Sequence, residues 1–528
     1  MRKSGHDYPC SPAMDLDHHF VSIWLHASSI SPPIMVRKPQ FPWWFLESSG
    51  TNPMNISAEV ETRSPLHPYD PRYDPLVHAT PGHGHAYAPT YWVGTAGAPP
   101  DDDGPVRGDL EVDVAVVGSG FTGLSTALFL AREHGIRATV LEANQTAWGC
   151  TSRNGGQGQN ASGRLYRSQW IARWGRELAL RLDREIREGF DTFKSLVAEF
   201  PECEPQPGGH LYIAHRDKKM DFLRNEAQVM REVFGYDTRM LSREQVHERY
   251  VRDAECSGAL HEPDGIGVHP LKLAFAYQRS ARALGVRIHT SSPVTRFEGS
   301  KGRYALHTPG GIVRARAVAF ATGGYTSNAL HPRLRNKILP ILSNSLVTRV
   351  LRDDEIEATG FRTHEVITDT RTLRFYYRLL PDRRVQIGSR SSITGADAPH
   401  PRHLQLLVEG LHRKFPALRG IDIDYSWWGW VDVSHDMMPR ITQPDPAEQV
   451  FYALGYGGNG VSFSAHAGRR MAQRVAGKAP PVLDLPIYSG ELEYPNAFDL
   501  VRSPLLAPMR RLGQRVLYRW YYMRDEAL

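Results

Sequence analysis

Residues 112–123, VDVAVVGSGFTG, constrain this chain more than any other stretch, because they join an apolar strand to a helix through three glycines. Valines at 112, 114, 116 and 117 suit a strand buried on both faces. Gly118 permits the tight turn out of it, Gly120 leaves room for a pyrophosphate to approach the backbone, and Gly123 lets the following helix pack closely. Phe121 and Thr122 open that helix, where free N–H groups and the helix dipole meet phosphate. The helix runs through LSTALFLARE to Gly135, and RATVLE reads as a second strand ending at Glu142, followed by Ala143. A carboxylate at that point can accept both hydroxyls of a ribose. Strand, glycine turn, helix, strand and acid in this order predict a dinucleotide site.

The next segment, WGCTSRNGGQ at 148–157, combines three glycines with small polar residues and one arginine. Such a loop can lie against a flat ring, and Gly155 and Gly156 permit backbone angles at which N–H groups converge on an acceptor. At these residues the chain resembles the D-amino-acid oxidase superfamily of FAD-dependent oxidoreductases. Within it the S-x-R-N-G-G-Q pattern resembles the gamma-glutamylputrescine oxidoreductase branch. Thr151 stands where that branch has serine, then come Ser152, Arg153, Asn154, Gly155, Gly156 and Gln157. Two distant segments support the resemblance. Thr322, Gly323 and Gly324 end a strand-like run, as in the second glycine turn of such flavoproteins, and Gly457, Gly458, Asn459, Gly460 and Val461 open a strand-to-helix unit near the C-terminal side. In the resembling family that helix points its positive end at the flavin pyrimidine ring, where charge accumulates on reduction.

The resemblance spans about residues 105–480 and implies an α/β (α+β) fold: a Rossmann-like FAD-binding domain interleaved with a mostly antiparallel β-sheet substrate domain. The expected division is an irregular N-terminal extension (1–105), FAD-binding parts at 106–200, 269–344 and 431–480, substrate-domain parts at 201–268 and 345–430, and a tail at 481–528 with a basic amphipathic helix. Met54 can serve as an alternative start of translation. Capping-box spacing at Ser242 and Gln245, and a proline-to-glycine helix over 270–285, mark where the chain leaves and re-enters the cofactor domain. The resemblance places the substrate pocket between the two domains, and Tyr376, Tyr377, Arg378, Trp428 and Trp430 are the candidates to line it, with Arg378 gripping a carboxylate through its planar fork.

The four cysteines, Cys10, Cys150, Cys203 and Cys256, form no CxxC and no zinc spacing, and the histidines of TPGHGHAYAPTYW have no cysteine or acid beside them, so no metal is expected. Family members with a histidine-linked flavin carry that histidine where this chain has Arg153. Those with a cysteine link carry it before the last helix unit, where VDVSHDMMP has none. FAD is therefore expected to be non-covalent, with Cys150 a packing residue. The net charge of +6 is dispersed among acids, which argues against nucleic acid. No apolar run approaches the roughly 18 residues of a membrane span, and the N-terminus lacks a signal pattern, so the expectation is cytoplasmic. In the tail, Leu512, Val516, Trp520 and Met523 lie at helical spacing among arginines, a pattern expected to pack on the fold, with peripheral membrane contact as the alternative. The implied activity is oxidation of a C–N bond in an amine or amino acid by hydride transfer to the flavin and imine hydrolysis, with oxygen or another carrier as electron acceptor. A 2-hydroxy-acid dehydrogenase and a non-catalytic flavin-binding partner protein are the competing readings, since fold alone does not set function.

Overall fold

The computed structural model describes residues 73–81, 83–335, 338–434, 437–478, 484–489 and 507–526. Met54 and the greater part of the expected N-terminal extension lie outside the described residues.

The apolar run at the glycine turn forms the strand Leu110–Val117, which lies between Gly311–Phe320 and Thr139–Leu141 in an eight-stranded sheet. These pairings are parallel, with Val114 opposite Ala317 and Val117 opposite both Phe320 and Leu141. The long strand Gly311–Phe320 pairs with Arg303–Thr308 through its first half and with Val450–Leu454 through its last three residues. All three glycine turns of the sequence therefore leave the same end of one sheet, where ligands bind in folds of this kind. Helices Phe121–His134, Pro270–Ala283, Gly460–Val475 and Arg167–Glu199 pack together in the main core through residues such as Leu124, Leu128, Leu273, Ile186 and Phe463. Gly175, at φ 78°, kinks the last of them.

The second sheet also has eight strands, ordered Ile423–Val433, Leu339–Thr348, Val385–Ser389, Tyr376–Leu379, Val366–Asp369, His210–Ala214, Gly258–Glu262, Arg239–Ser242. Its neighbours are antiparallel except where Val366–Asp369 meets His210–Ala214, which joins the two excursions of the chain into one sheet. Leu339–Thr348 pairs along its length with Ile423–Val433, so boundaries at 344/345 and 430/431 cut through strands that belong wholly to this sheet. A three-stranded sheet, Gln157–Gln159, Gly265–Gly267 and Gln206–Pro207, ties the loop after Glu142 to the second sheet.

Residues 73–105 lack periodicity yet are fastened to the body. Trp92 Nε1 donates to Asn154 O (2.7 Å), Thr90 Oγ1 to Ser152 O (3.1 Å) and Trp148 Nε1 to Ala86 O (2.7 Å). The C-terminal helix Ala507–Glu526 packs on the fold as well. Thr372 N donates to Asp525 Oδ2 (2.5 Å), and Arg511 makes two 2.6 Å bonds to Asp74, clasping the two terminal segments. The face that docks carries Gln514, Tyr518 and Asp525, whereas Leu512, Val516 and Trp520 of the expected packing stripe are 54%, 57% and 37% exposed. No helix among the described residues is long and apolar enough to cross a membrane.

Candidate active site

Three glycine turns and the second sheet enclose one cavity of about 330 Å³. At its sheet end Gly118 has φ +100°, and a Cβ there would stand 2.7 Å from Ala321 O. A Cβ on Gly123 would stand 1.8 Å from Gly118 O, so Gly123 is a contact between helix and turn and does not line the cavity. Gly120 is different. Its Cβ would meet only Thr151 Oγ1 at 3.0 Å, which leaves the backbone open to the cavity. The helices that begin after Gly120 and Asn459 receive no cap from the N-cap side chain; at the first of them Phe121 N donates to Thr151 Oγ1 (3.1 Å), and both termini line the cavity.

Glu142 lines the cavity at the end of its strand. Its Oε2 accepts from Ser119 N (2.9 Å) and Ser119 Oγ (2.7 Å), and its Oε1 from Asn144 N (3.1 Å). Burial lifts its pKa above the ordinary carboxylate value despite those bonds. Ala143, Phe121, Thr122, Thr151, Arg153, Asn154, Gly155, Gln157, Thr322, Gly323, Gly324, Gly457, Gly458, Asn459, Gly460 and Val461 line the same cavity. Tyr456 Oη and Thr122 Oγ1, 2.8 Å apart, link the first and last turns, and Asp432 braces the last one by accepting from Gly455 N (2.6 Å). Arg153 lies over Trp148, 4.3 Å from the ring centroid, and donates to Tyr325 Oη.

Several expected site residues lie elsewhere. Gly156 N donates to the Asn154 side chain (2.7 Å), and a Cβ on Gly156 would stand 2.2 Å from Val268 O; it makes a tight packing contact, with its N–H turned away from any cofactor nest. Ser152 is buried, bonding Trp148 O (3.0 Å). In the 423–433 strand Gly429, Val431 and Asp432 line the cavity, whereas Trp428 and Trp430 do not; they are buried in a cluster with Tyr73, Trp148 and Tyr325, the last two of which line the cavity themselves. Tyr376 does line the cavity, its Oη 2.8 Å from Ser345 Oγ, while Tyr377 points into the opposite core and donates to Asp253 Oδ2 (2.6 Å). Arg378 shares the face of Tyr376 but sits beyond the cavity, buried, donating to Gln206 Oε1 and Val268 O at 2.7 Å each, with its guanidinium 5.5 Å from the Trp92 ring. It does not reach a ligand in the cavity.

The sequence reading missed the polar residues at the second-sheet side. Arg164, Tyr166, His210, Tyr212, Arg374 and Arg390 all line the cavity. Arg164 follows the glycine loop by seven residues, and Arg374 and Arg390 flank the two strands around the PDRR turn, so position beside recognised motifs was the available signal.

This arrangement of glycine turns agrees with the relatives. A family model described as FAD dependent oxidoreductase matches residues 113–474. The chain belongs to this family. It is 31% identical over 381 residues to gamma-glutamylputrescine oxidoreductase of Escherichia coli (strain K12), covering 70% of this chain and 85% of that one. It is 26% identical to the beta subunit of sarcosine oxidase from Arthrobacter sp, over 73% of this chain and 92% of the relative. Among solved structures, glycine oxidase from Geobacillus kaustophilus superposes with a TM-score of 0.62 at 20% identity, over 73% of this chain and all of that one, a likeness of fold. The protein is thus an FAD-dependent oxidoreductase. The residues present fit FAD: an open Gly120 for pyrophosphate, a buried carboxylate at Glu142 for ribose, and the uncapped helix start at Gly460 for the flavin ring.

Proposed function

We propose that this oxidoreductase oxidises a C–N bond in an amine or amino acid of the gamma-glutamylputrescine type, using non-covalent FAD. The observation that carries the reading is the continuity of one cavity from the glycine turns, suited to the cofactor, to a side lined by Tyr376, Tyr212 and arginines, suited to an anionic substrate. Bound FAD would supply the acceptor for the hydride leaving the carbon next to nitrogen. This chain's residues do the rest. The aromatic rings of Tyr376 and Tyr212 exclude water and position the carbon, while arginines hold the acid group away from it. His210 stands in the cavity wall with Nδ1 3.4 Å from Glu262 Oε1 and Nε2 2.8 Å from Thr368 Oγ1, both ring nitrogens engaged by the protein, so the amine reacts in the neutral form in which it enters. The oxidised product is an imine, which water converts to a carbonyl compound and an amine. Cys150 lines the cavity, but burial pushes its thiol up to about 12, so it stays protonated and unreactive toward a flavin ring.

The test is bleaching of bound flavin under anaerobic conditions by a panel of amines and 2-hydroxy acids. Amines are expected to reduce the flavin and hydroxy acids to leave it oxidised; reduction by hydroxy acids alone overturns the reading. Denaturing the same sample should release intact FAD into the supernatant, and re-admitting air shows whether oxygen accepts the electrons.

A further inference from the structure

The cavity treats its charged groups unequally. Arg167 is held by Asp183 at 2.7 Å, and His210 by Glu262. The acids in the wall are likewise engaged: Glu142 by Ser119, Glu226 by Ser168, Asp432 by Gly455 N. Arg164, Arg374 and Arg390 are the exception, because none of the three makes an ion pair among the described residues. All three are half-buried and line the cavity, and Arg390 also borders a second, smaller pocket beside Glu409, Arg413 and Asp525. Arg390 Nε and Nη1 and Arg374 Nε are shut off from solvent without a hydrogen-bond partner. Arg164 makes only long bonds, 3.5 Å each, to Gly457 O and Thr372 O. The three are close enough that the field of Arg390, then burial, then Arg374, brings Arg164 down to about 9. Tyr518 of the C-terminal helix, whose field also acts on Arg164 and Arg390, has a buried Oη with no partner.

The place of the cluster matters as much as its charge. A Cβ on Gly458 would stand 3.0 Å from Arg390 Nη2, so the cluster abuts the loop that opens the Gly460–Val475 helix. Buried like charges without counter-ions are costly unless a ligand neutralises them. In oxidised FAD, the form that meets the substrate, the flavin carbonyls are neutral and take a donor each without cancelling charge. One carboxylate engages one guanidinium fork and leaves two cations unpaired.

We propose that Arg164, Arg374 and Arg390 form an anion subsite that selects amines carrying two acid groups over amines carrying one. This rests on the amine-oxidation reading above; aminodicarboxylates carry one acid group more than gamma-glutamylputrescine, so the subsite sets this chain's substrate apart from that relative's.

The test uses the full-length, FAD-loaded enzyme and follows flavin absorbance while glutarate or butyrate is titrated in. Glutarate is expected to half-saturate at least about tenfold lower than butyrate, the factor that corresponds to one further charge-assisted contact. Arg374→Gln and Arg390→Gln should each abolish that preference while flavin content stays at the wild-type level. Equal half-saturation by the two acids in the wild type overturns the proposal, as does a preference that survives both substitutions. Loss of flavin from both variants also overturns it, since the arginines would then belong to the cofactor. The two readings fail separately. If glutarate shows the preference but no amine bleaches the flavin, the oxidation reading falls and the anion subsite stands. If matched amines with zero, one or two carboxylates bleach it at equal concentrations, oxidation stands and the subsite falls.

Discussion

The two sides of the cavity are built in different ways. The cofactor side is made of short segments, each self-contained: Gly118, Gly120 and Glu142 lie within one strand–turn–helix–strand unit, and their geometry follows from local backbone needs. The side proposed for the substrate is made of single residues from distant places: Arg164 after the glycine loop, His210 and Tyr212 in the first excursion, Arg374 and Arg390 in the second. A dinucleotide is held largely by backbone, which only certain turns can present, whereas a substrate is held by side chains that any packed surface can supply. The first kind of construction can serve a family of different activities, and the second is the kind in which specificity is set.

The comparison is broken most directly by removing what braces the cofactor side from outside the family-matched region. A chain starting at residue 106 loses the bonds from Trp92, Thr90 and Ala86 to the 148–154 loop, together with the Asp74–Arg511 clasp. Trp92 is also buried in the main core. We expect loss of soluble, yellow protein. A chain starting at Met54 keeps every one of these contacts and should retain FAD. Soluble yield and the ratio of flavin to protein absorbance check both truncations, and a flavin-loaded protein starting at 106 would show that the loop holds its shape unaided.

Legibility in the sequence follows the same division. The glycine turns, the acid at Glu142, the helix start at Ser242 and the helix over Pro270–Ala283 are short-range patterns, and each appears where the pattern puts it. The 423–433 strand shows why the rest was hidden. Polar residues at 424, 426 and 432 alternate along it, but Trp427, Trp428 and Trp430 put bulky rings on both faces of a strand covered on both sides, and alternation does not say which face meets the cavity. A one-residue error in phase exchanges Gly429 for Trp428 at the cavity wall. Arg378 misled for a related reason: it has the parity of Tyr376, but sequence spacing does not say how far along the strand the cavity extends. The arginine cluster had no local signal at all, since its members are as much as 226 positions apart (390 − 164) and resemble the dispersed basic residues of any surface.

A smaller effect is expected within the cofactor side. Glu142→Ala should weaken FAD binding by roughly 1–3 kcal/mol, the range for hydrogen bonds to a charged group, with part of the loss arising because Ser119 and Asn144 lose their acceptor. Titration of apoprotein with FAD, followed by quenching of flavin fluorescence, measures it. An unchanged affinity would place the ribose on another group and remove the acid from the cofactor side.

The smallest effect, and the one that separates the two sides most sharply, is expected at Arg378. This arginine is buried outside the cavity, bridging Gln206 Oε1 and Val268 O beneath the Trp92 ring, and burial lowers its pKa to about 10. It ties the small three-stranded sheet, which contains Gln206 and continues into Val268, to the strand Tyr376–Leu379. Arg378→Lys leaves a cation on a shorter reach, which can keep one of the two contacts and loses the planar fork. One lost bond to a charged donor corresponds to about 1–2 kcal/mol of stability, read as a lower melting temperature. The substrate concentration for half-maximal flavin reduction should not change, in contrast to Arg390→Lys, where the altered fork faces the cavity. If Arg378→Lys instead raises that concentration at constant stability, Arg378 reaches the ligand after all, and the border drawn here between the cavity wall and its scaffold is misplaced.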